Sequence, residues 1–255
     1  MAGRLEGKRA LVTGASRGIG QAIAAAFLRE GARVVICSRK EEGLERARRE
    51  LAGDGAGDRL LARTCHVGHP EQVVELFEWL DGELGGLEVV VNNAGTNPHF
   101  GPLLDIEWPL WDKTFEVNLK GAFEASRQAA RRWQQSGQAG AIVNVASIAG
   151  LRAAPMQGCY GMTKAALVSL TATLAVELGP LGIRVNAIAP GVIDTRLSAL
   201  LVNTPEILKV FTEHTALKRH GQPGEVAELA VYLAADESSF VTGQTFCVDG
   251  GYTVA

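Results

Sequence analysis

The segment Arg9-Ala10-Leu11-Val12-Thr13-Gly14-Ala15-Ser16-Arg17-Gly18-Ile19-Gly20 passes from an apolar run, through a glycine turn, into a helix-periodic stretch. Ile19, Ile23, Ala26 and Phe27 recur at helical spacing, which predicts a helix beginning near Gly18. A strand that feeds a glycine turn and then a helix start leaves backbone N–H groups unpaired. The helix dipole favours an anion there, such as a pyrophosphate. Gly14 permits the tight turn, Gly18 lets phosphates approach the backbone, and Gly20 lets helix and strand pack closely. The spacing is Gly-x-x-x-Gly-x-Gly rather than the Gly-x-Gly-x-x-Gly fingerprint of dinucleotide sites. Alone, the stretch fits a plain strand-to-helix turn as well as a nucleotide site.

Outward from this turn, apolar runs and helical patterns alternate along the whole chain. Further strands are predicted at 33–37, 60–67, 87–91, 141–145, 183–188 and 244–248. Helices are predicted at 41–51, from 70, over about 25 residues ending near Gly137, at 158–178 and at 224–235. A glycine-rich turn at 53–57 and a loop at 96–109 separate some of them, and 195–222 is the least regular stretch. Near-continuous apolar strands alternating with helices predict an α/β fold, a parallel sheet covered by helices on both faces. No linker or break in composition divides 1–255, so one domain is expected. Such sheets bind ligands at the carboxyl ends of their strands. That rule places Gly14, Ser38, Arg39, His66, Val67, Asn93, Ser147, Pro190 and Gly191 around one crevice.

Composition narrows the class. With 47% hydrophobic and 21% charged residues over 255, the chain can bury a large core without disulfides or metal, and no metal site is expected. A net charge of −3 with interspersed signs indicates no nucleic-acid or polybasic membrane surface. The four cysteines, Cys37, Cys65, Cys159 and Cys247, form no C-x-x-C pair and read as reduced thiols. No signal peptide and no membrane span are expected, and the predicted location is cytoplasmic.

Tyr160 and Lys164 sit four apart at a predicted helix start and share one face. A phenol with its ordinary pKa of about 10 is a poor base, but an adjacent ammonium favours the phenolate. Such a tyrosine can exchange a proton with an alcohol or ketone oxygen. A solvated surface pair is the ordinary alternative. Ser147 ends a buried strand thirteen residues before Tyr160, where its hydroxyl can donate to a substrate oxygen. Asn118 is a polar residue within an otherwise helix-forming stretch.

Taken in order, Thr13-Gly14-x-x-x-Gly18-x-Gly20, Asn92-Asn93-Ala94-Gly95, Asn118, Ser147, Tyr160-x-x-x-Lys164 and Pro190-Gly191 resemble the short-chain dehydrogenase/reductase family from about residue 5 to 251. The resemblance implies a Rossmann-type, doubly wound three-layer sandwich with a mostly parallel seven-stranded sheet. It implies Tyr160 as acid/base, Lys164 lowering its pKa and holding a ribose, Ser147 orienting the substrate oxygen, and Asn118 holding a water that relays protons toward Lys164. It also implies a nicotinamide cofactor along Gly14, Ser16, Arg17, Gly18, Ile19 and Gly20. Asn93, Ala94 and Gly95 would lie along the adenosine ribose, and Pro190, Gly191, Ile193 and Thr195 near the carboxamide. Many relatives carry an acid after the third strand, where this chain has His66. The adenine amino group would then need another acceptor, such as the backbone of Val67, and His66 itself is expected to be an inert surface residue.

Sites for NAD place a carboxylate about 20 residues beyond the glycine turn. This chain has Ser38-Arg39-Lys40 there, and Arg39 with Arg17 offers planar forks for a 2′-phosphate. NADP(H) is therefore expected in preference to NAD(H), as in carbonyl and dicarbonyl reductases of the family. Leu197, Leu200, Leu201, Ile207, Leu208, Val210 and Phe211 fit either an apolar lid or a packed amphipathic helix. The 97–101 loop and Trp108 are expected to border the pocket. With no cluster of arginine or lysine marking a substrate site, a neutral ketone or secondary alcohol is expected. A non-catalytic cofactor-binding regulator and a 3-oxoacyl thioester reductase are the alternatives. An enoyl reductase is disfavoured because relatives of that kind space tyrosine and lysine more widely, and position 167 is leucine. The resemblance also implies that the helices at 109–135 and 158–178, both carrying apolar residues, pair across a two-fold axis, and a homo-oligomer, a homotetramer, is expected.

Overall fold

A computed structural model describes residues 3–255, without the side chains of 54 and 55; Met1 and Ala2, which head the expected single domain, lie outside the described residues. The chain runs β1 (Arg9–Thr13), α1 (Gly18–Arg29), β2 (Arg33–Ser38), α2 (Glu41–Leu51), β3 (Leu60–Thr64), α3 (Pro70–Leu84) and β4 (Val89–Asn92). It continues through α4 (Trp108–Phe115), α5 (Gly121–Ser136), β5 (Gly140–Val145), α6 (Gly158–Leu178) and β6 (Ile183–Pro190). The last elements are α7 (Ala199–Val202), α8 (Pro205–Glu213), α9 (Pro223–Ala234) and β7 (Thr245–Val248).

The strands pair in the order β3-β2-β1-β4-β5-β6-β7, and every pairing is parallel. The order reverses between β1 and β4, which leaves a crevice over their carboxyl ends. Alternate side chains of the central strands feed two cores. Val12, Val34, Ile36 and Val91 pack with Phe27 of α1 and Val231 of α9 on one face. Leu11, Val35 and Val90 pack with Phe77 of α3 and Trp133 of α5 on the other. Both strand faces are apolar because both are covered.

The long helix expected to end near Gly137 is interrupted. A π turn at Glu116–Lys120 separates α4 from α5 and carries Asn118, which is buried. The turn has a cause in side-chain chemistry. Asn118 Nδ2 donates to Thr96 O at 2.9 Å and to Thr163 Oγ1 at 3.0 Å. Its Oδ1 accepts from Thr96 N at 2.8 Å. These three bonds reward the extra residue in the turn, because a regular helix aims the side chain elsewhere. The expected glycine turn at 53–57 is instead a π turn over Ala52–Ala56 that extends α2.

A buried amide network ties the site-bearing elements together. Asn92 Nδ2 at the end of β4 donates to Ser126 Oγ of α5 at 2.9 Å and to Asn144 Oδ1 of β5 at 2.8 Å. Asn144 Nδ2 passes the chain on to Thr171 Oγ1 of α6 at 2.9 Å.

α6 also requires a correction. Contrary to the sequence expectation, α6 with the turn that follows it, Gly158–Leu181, is by length and composition alone apolar enough to cross a membrane, an 18-residue window in it having mean hydropathy 1.3. Its composition has a local explanation. Leu167 and Ala175 are buried toward the sheet, whereas Val176 stays 78% exposed on a second apolar face.

Candidate active site

Two cavities meet over the carboxyl ends of the strands. One, of about 390 Å³, lies against the glycine turn. The other, of about 250 Å³, lies over Ser147 and Tyr160. Ile19, Asn93, Gly95, Thr195 and Leu197 line both, so they form one continuous crevice.

The glycine turn is shaped for close approach. Gly14 and Gly18 have φ of +66° and +61°, a backbone conformation side chains disfavour. A Cβ on Gly20 would lie 2.3 Å from Asn93 Nδ2 and 2.8 Å from Gly14 O. Asn93 holds the turn in place, donating from Nδ2 to Thr13 O at 2.8 Å and Gly14 O at 3.2 Å. Thr13 Oγ1 donates to Val91 O at 3.1 Å and accepts from Asn93 N at 3.0 Å, locking β1 to β4. The N-terminus of α1 has no side-chain cap and no acid in its first turn. Its backbone donors suit an anionic ligand, so the turn fits the pyrophosphate of a dinucleotide.

Farther along, the crevice is rimmed by cations. Arg17, Arg39 and Arg196 all line it, and among the described residues no carboxylate pairs with them. Burial, then the guanidiniums of Arg196, Arg39 and Arg46, hold Arg17 below its ordinary pKa. Ser38 Oγ donates to Ser16 Oγ at 3.2 Å beneath them. Arg196 was not singled out from sequence, since it follows a strand distant in the chain. Its neighbour Thr195 supplies the missing signal: a Cβ on Gly18 would lie 3.3 Å from Thr195 Cγ2, so this segment folds over the turn.

His66 is not the inert surface residue expected. It lines the crevice half-buried, with Nδ1 accepting from Gly68 N at 3.2 Å. That bond fixes the neutral ring with its proton on Nε2. Burial, with His69 and Arg39 nearby, keeps its pKa low.

Ser147 and Tyr160 stand together over the second cavity. Ser147 follows β5 with extended backbone, and its Oγ accepts from Ala149 N at 3.1 Å. Tyr160 and Lys164 share the face of α6 turned to the crevice, with Lys164 Nζ 5.6 Å from the Tyr160 ring centroid. In the chain by itself, burial is the largest influence on the phenol. Desolvation at the crevice floor pushes Tyr160 up to about 12, against an opposing hydrogen bond from Ser147. Desolvation also brings Lys164 down to about 8. Burial is the first cause for both groups.

Asn118 stands apart. It is buried behind the crevice wall, outside both cavities, with both amide hydrogens committed to protein acceptors. Trp108 lies away from the pocket too, 74% exposed and edge-on to Trp111. Of the loop expected to border the pocket, Asn97 does so, with Nδ2 donating to Gln157 Oε1 at 2.9 Å. Neither α7 nor α8 contains a buried residue, yet Leu201 and Phe211 line the cavity. That combination suits a cover over the site rather than a packed core helix.

Residues 14–253 match a family model described as Enoyl-(Acyl carrier protein) reductase. The human dehydrogenase/reductase SDR family member 4 is 36% identical over 97% of this chain and 88% of its own length. The chain belongs to the short-chain dehydrogenase/reductase family. Tropinone reductase-like 3 of Erythroxylum coca is 37% identical over 97% of this chain and 94% of its own. Among solved structures, a gluconate 5-dehydrogenase of Burkholderia cenocepacia, in complex with NADP and tartrate, superposes with TM-score 0.93 at 34% identity, covering 99% and 97% of the two chains. A short-chain type dehydrogenase/reductase of Mycobacterium marinum gives TM-score 0.92 at 37% identity, covering 98% and 97%. As a member, this chain is a nicotinamide-dependent oxidoreductase acting on CH–OH groups. Leu167, where the wider tyrosine–lysine spacing would place the lysine, is a buried residue of α6.

Proposed function

We propose that this short-chain dehydrogenase/reductase interconverts a ketone and a secondary alcohol with NADP(H), and that Tyr160 is the proton donor and acceptor. The observation that carries this reading is the union of two cavities: Ser147, Tyr160 and Lys164 on one side, unpaired arginines on the other. When bound, the cofactor supplies or accepts the hydride. In reduction one hydride reaches the carbonyl carbon and one proton reaches its oxygen.

A phenol held near 12 is protonated at neutral pH, which suits donation to the developing alkoxide. Ser147 Oγ accepts from Ala149 N, which aims the hydroxyl, and its hydrogen turns from the phenol to the same oxygen when substrate is bound. Lys164, anchored beside the ring, places positive charge near the phenol and offers donors to a ribose. Asn118 acts as a positioning residue, joining the loop at Thr96 to α6 at Thr163.

Arg17 and Arg39, joined by Arg196, favour a 2′-phosphate, and Ser38 adds a hydroxyl beneath them. The Burkholderia relative, which holds NADP, is in keeping with this choice. Four free cysteines among the described residues suit a reducing cytoplasm. A second copy covers the apolar groove lined by Phe115, Leu119, Phe123 and Leu170 in the proposed tetramer. Fluorescence titration with NADPH and NADH, followed by assay of ketones with Tyr160→Phe as control, tests the reading. Equal affinity for the two cofactors would remove the NADP(H) preference, and full activity in the variant would remove Tyr160.

A further inference from the structure

We propose that Arg152 sets substrate specificity by binding a carboxylate carried by the ketone or alcohol. The inference rests on the oxidoreductase reading above for turnover, though not for binding. Among the described residues lining the Ser147–Tyr160 cavity, Arg152 and Lys164 are the charged ones, and both are positive. Lys164 serves the phenol and the cofactor ribose in the reading above, and its Nζ also donates to Val145 O at 2.7 Å. Arg152 is the cation left to meet a substrate.

Its placement is defined by the fold. A short helical turn, Ile148–Gly150, follows Ser147, and Arg152 N donates back to Ile148 O at 3.1 Å. The side chain then crosses to the C-terminal segment. Nη1 donates to Tyr252 O at 3.0 Å, and the guanidinium carbon lies 5.4 Å from the Tyr252 ring centroid. Tyr252 in turn packs at 5.6 Å against Phe211 of α8. Arg152 is thus held against an aromatic wall, with other N–H donors uncommitted and no acid paired to it among the described residues. A planar fork held this way presents parallel donors to a carboxylate at little further entropic cost.

The cavity is small, about 250 Å³, and its other polar wall is the Asn97–Gln157 pair. One arginine balances one negative charge, so the class is a monocarboxylate bearing a carbonyl or hydroxyl, rather than a phosphate ester. No cluster of cations marks the site in the sequence; the signal is a lone arginine in a cavity whose described lining holds no acid.

The test compares pyruvate, acetoacetate, levulinate and 4-acetylbenzoate with their amides, using the wild type, R152Q and R152K in saturating NADPH. A charge-assisted bond of this kind is expected to give at least one acid a kcat/KM about tenfold or more above its amide, mainly through KM. R152Q should abolish that preference while leaving the amide nearly unchanged, and R152K should restore part of it. Amides reduced as well as acids by the wild type, or equal losses for both in R152Q, would overturn the proposal. A stronger preference for dihydroxyacetone phosphate than for every acid would overturn the carboxylate assignment. Calorimetric titration of 4-acetylbenzoate into the NADP⁺ complex separates the two readings. Weaker binding in R152Q supports the carboxylate site even without turnover, and equal binding overturns it. Failure of the wild type to reduce any ketone would instead overturn the oxidoreductase reading.

Discussion

Lys164 donates from Nζ to the carbonyl oxygen of Val145 at 2.7 Å while lying 5.6 Å from the ring centroid of Tyr160. The ammonium is therefore buried against one carbonyl, without a carboxylate to balance it among the described residues, and its pKa falls to about 8. A depressed value means that the unfolded chain binds the proton more tightly. Stability then rises with pH as the ordinary lysine range is approached, and is lost as pH falls through 8. Tyr160, pushed up to about 12, acts in the opposite direction only above its ordinary value near 10. Urea midpoints should increase between about pH 8 and about pH 10, with up to about 3 kcal/mol at stake. Lys164→Met should flatten that slope. A wild type with no slope would mean that the ammonium is not desolvated.

Asn118 joins three segments through its side chain, so its loss should be structural before it is catalytic. Asn118→Ala leaves the backbone groups of Thr96 and the hydroxyl of Thr163 without their partner. Unsatisfied buried groups of this kind cost about 1–3 kcal/mol. Denaturant melting should show that loss, with turnover falling as the Thr96 loop loosens. Unchanged stability with lost turnover would assign Asn118 a chemical role instead.

The uneven legibility of the sequence follows from how each feature is encoded. Strand and helix periodicity predicted α6 over 158–178, and the helix spans Gly158–Leu178. Gly14, Gly18 and Gly20 announced the turn because their backbone and packing constraints are local. The break at Asn118 was not visible, since its cause lies in contacts with Thr96 and Thr163, far away in sequence. Arg196 and Arg152 were missed for a related reason: an exposed arginine gains meaning only when folding brings it to a cavity that contains no acid. For Tyr160, spacing reports the neighbour Lys164 but not the loss of water around both groups.

The arginine rim gives a test of cofactor choice. Arg39 opens the segment before α2, and an aspartate there would accept from ribose hydroxyls and repel a phosphate. Arg39→Asp should weaken NADPH by about tenfold or more and narrow or reverse the preference over NADH, as read by fluorescence titration. Arg196→Ala should weaken NADPH while leaving NADH nearly unchanged. Parallel losses for both cofactors would show that Arg196 meets the common pyrophosphate or merely supports the cover.

Apolar surface on α5 and α6 gives a test of assembly. Phe123 of α5 is 40% exposed and Val176 of α6 is 78% exposed, on the two helices expected to pair two copies. Light scattering should give a tetramer mass for the wild type, and Phe123→Asp with Val176→Asp should reduce it by placing buried charge in the contact. A monomeric wild type at micromolar concentration would end the proposal.

Tyr160 carries the most direct prediction. Its hydroxyl is the acidic proton adjoining Ser147 in the cavity, and general acid–base catalysis contributes about 10²- to 10⁴-fold. Tyr160→Phe should lower ketone reduction by that order while NADPH titration stays close to wild type, because the arginine rim is untouched. Ser147→Ala should also lower turnover, chiefly through kcat, since its hydrogen bond strengthens as charge builds on the oxygen. The pH dependence has a defined sign. Reduction uses the protonated phenol and needs no rise in pH, whereas alcohol oxidation needs the phenolate, and a phenol raised to about 12 makes that form scarce at neutral pH. Oxidation should therefore climb steeply on the alkaline side. Tyr160→Phe should remove the climb, and a variant that keeps both its rate and the wild-type pH profile would show that another group supplies the proton.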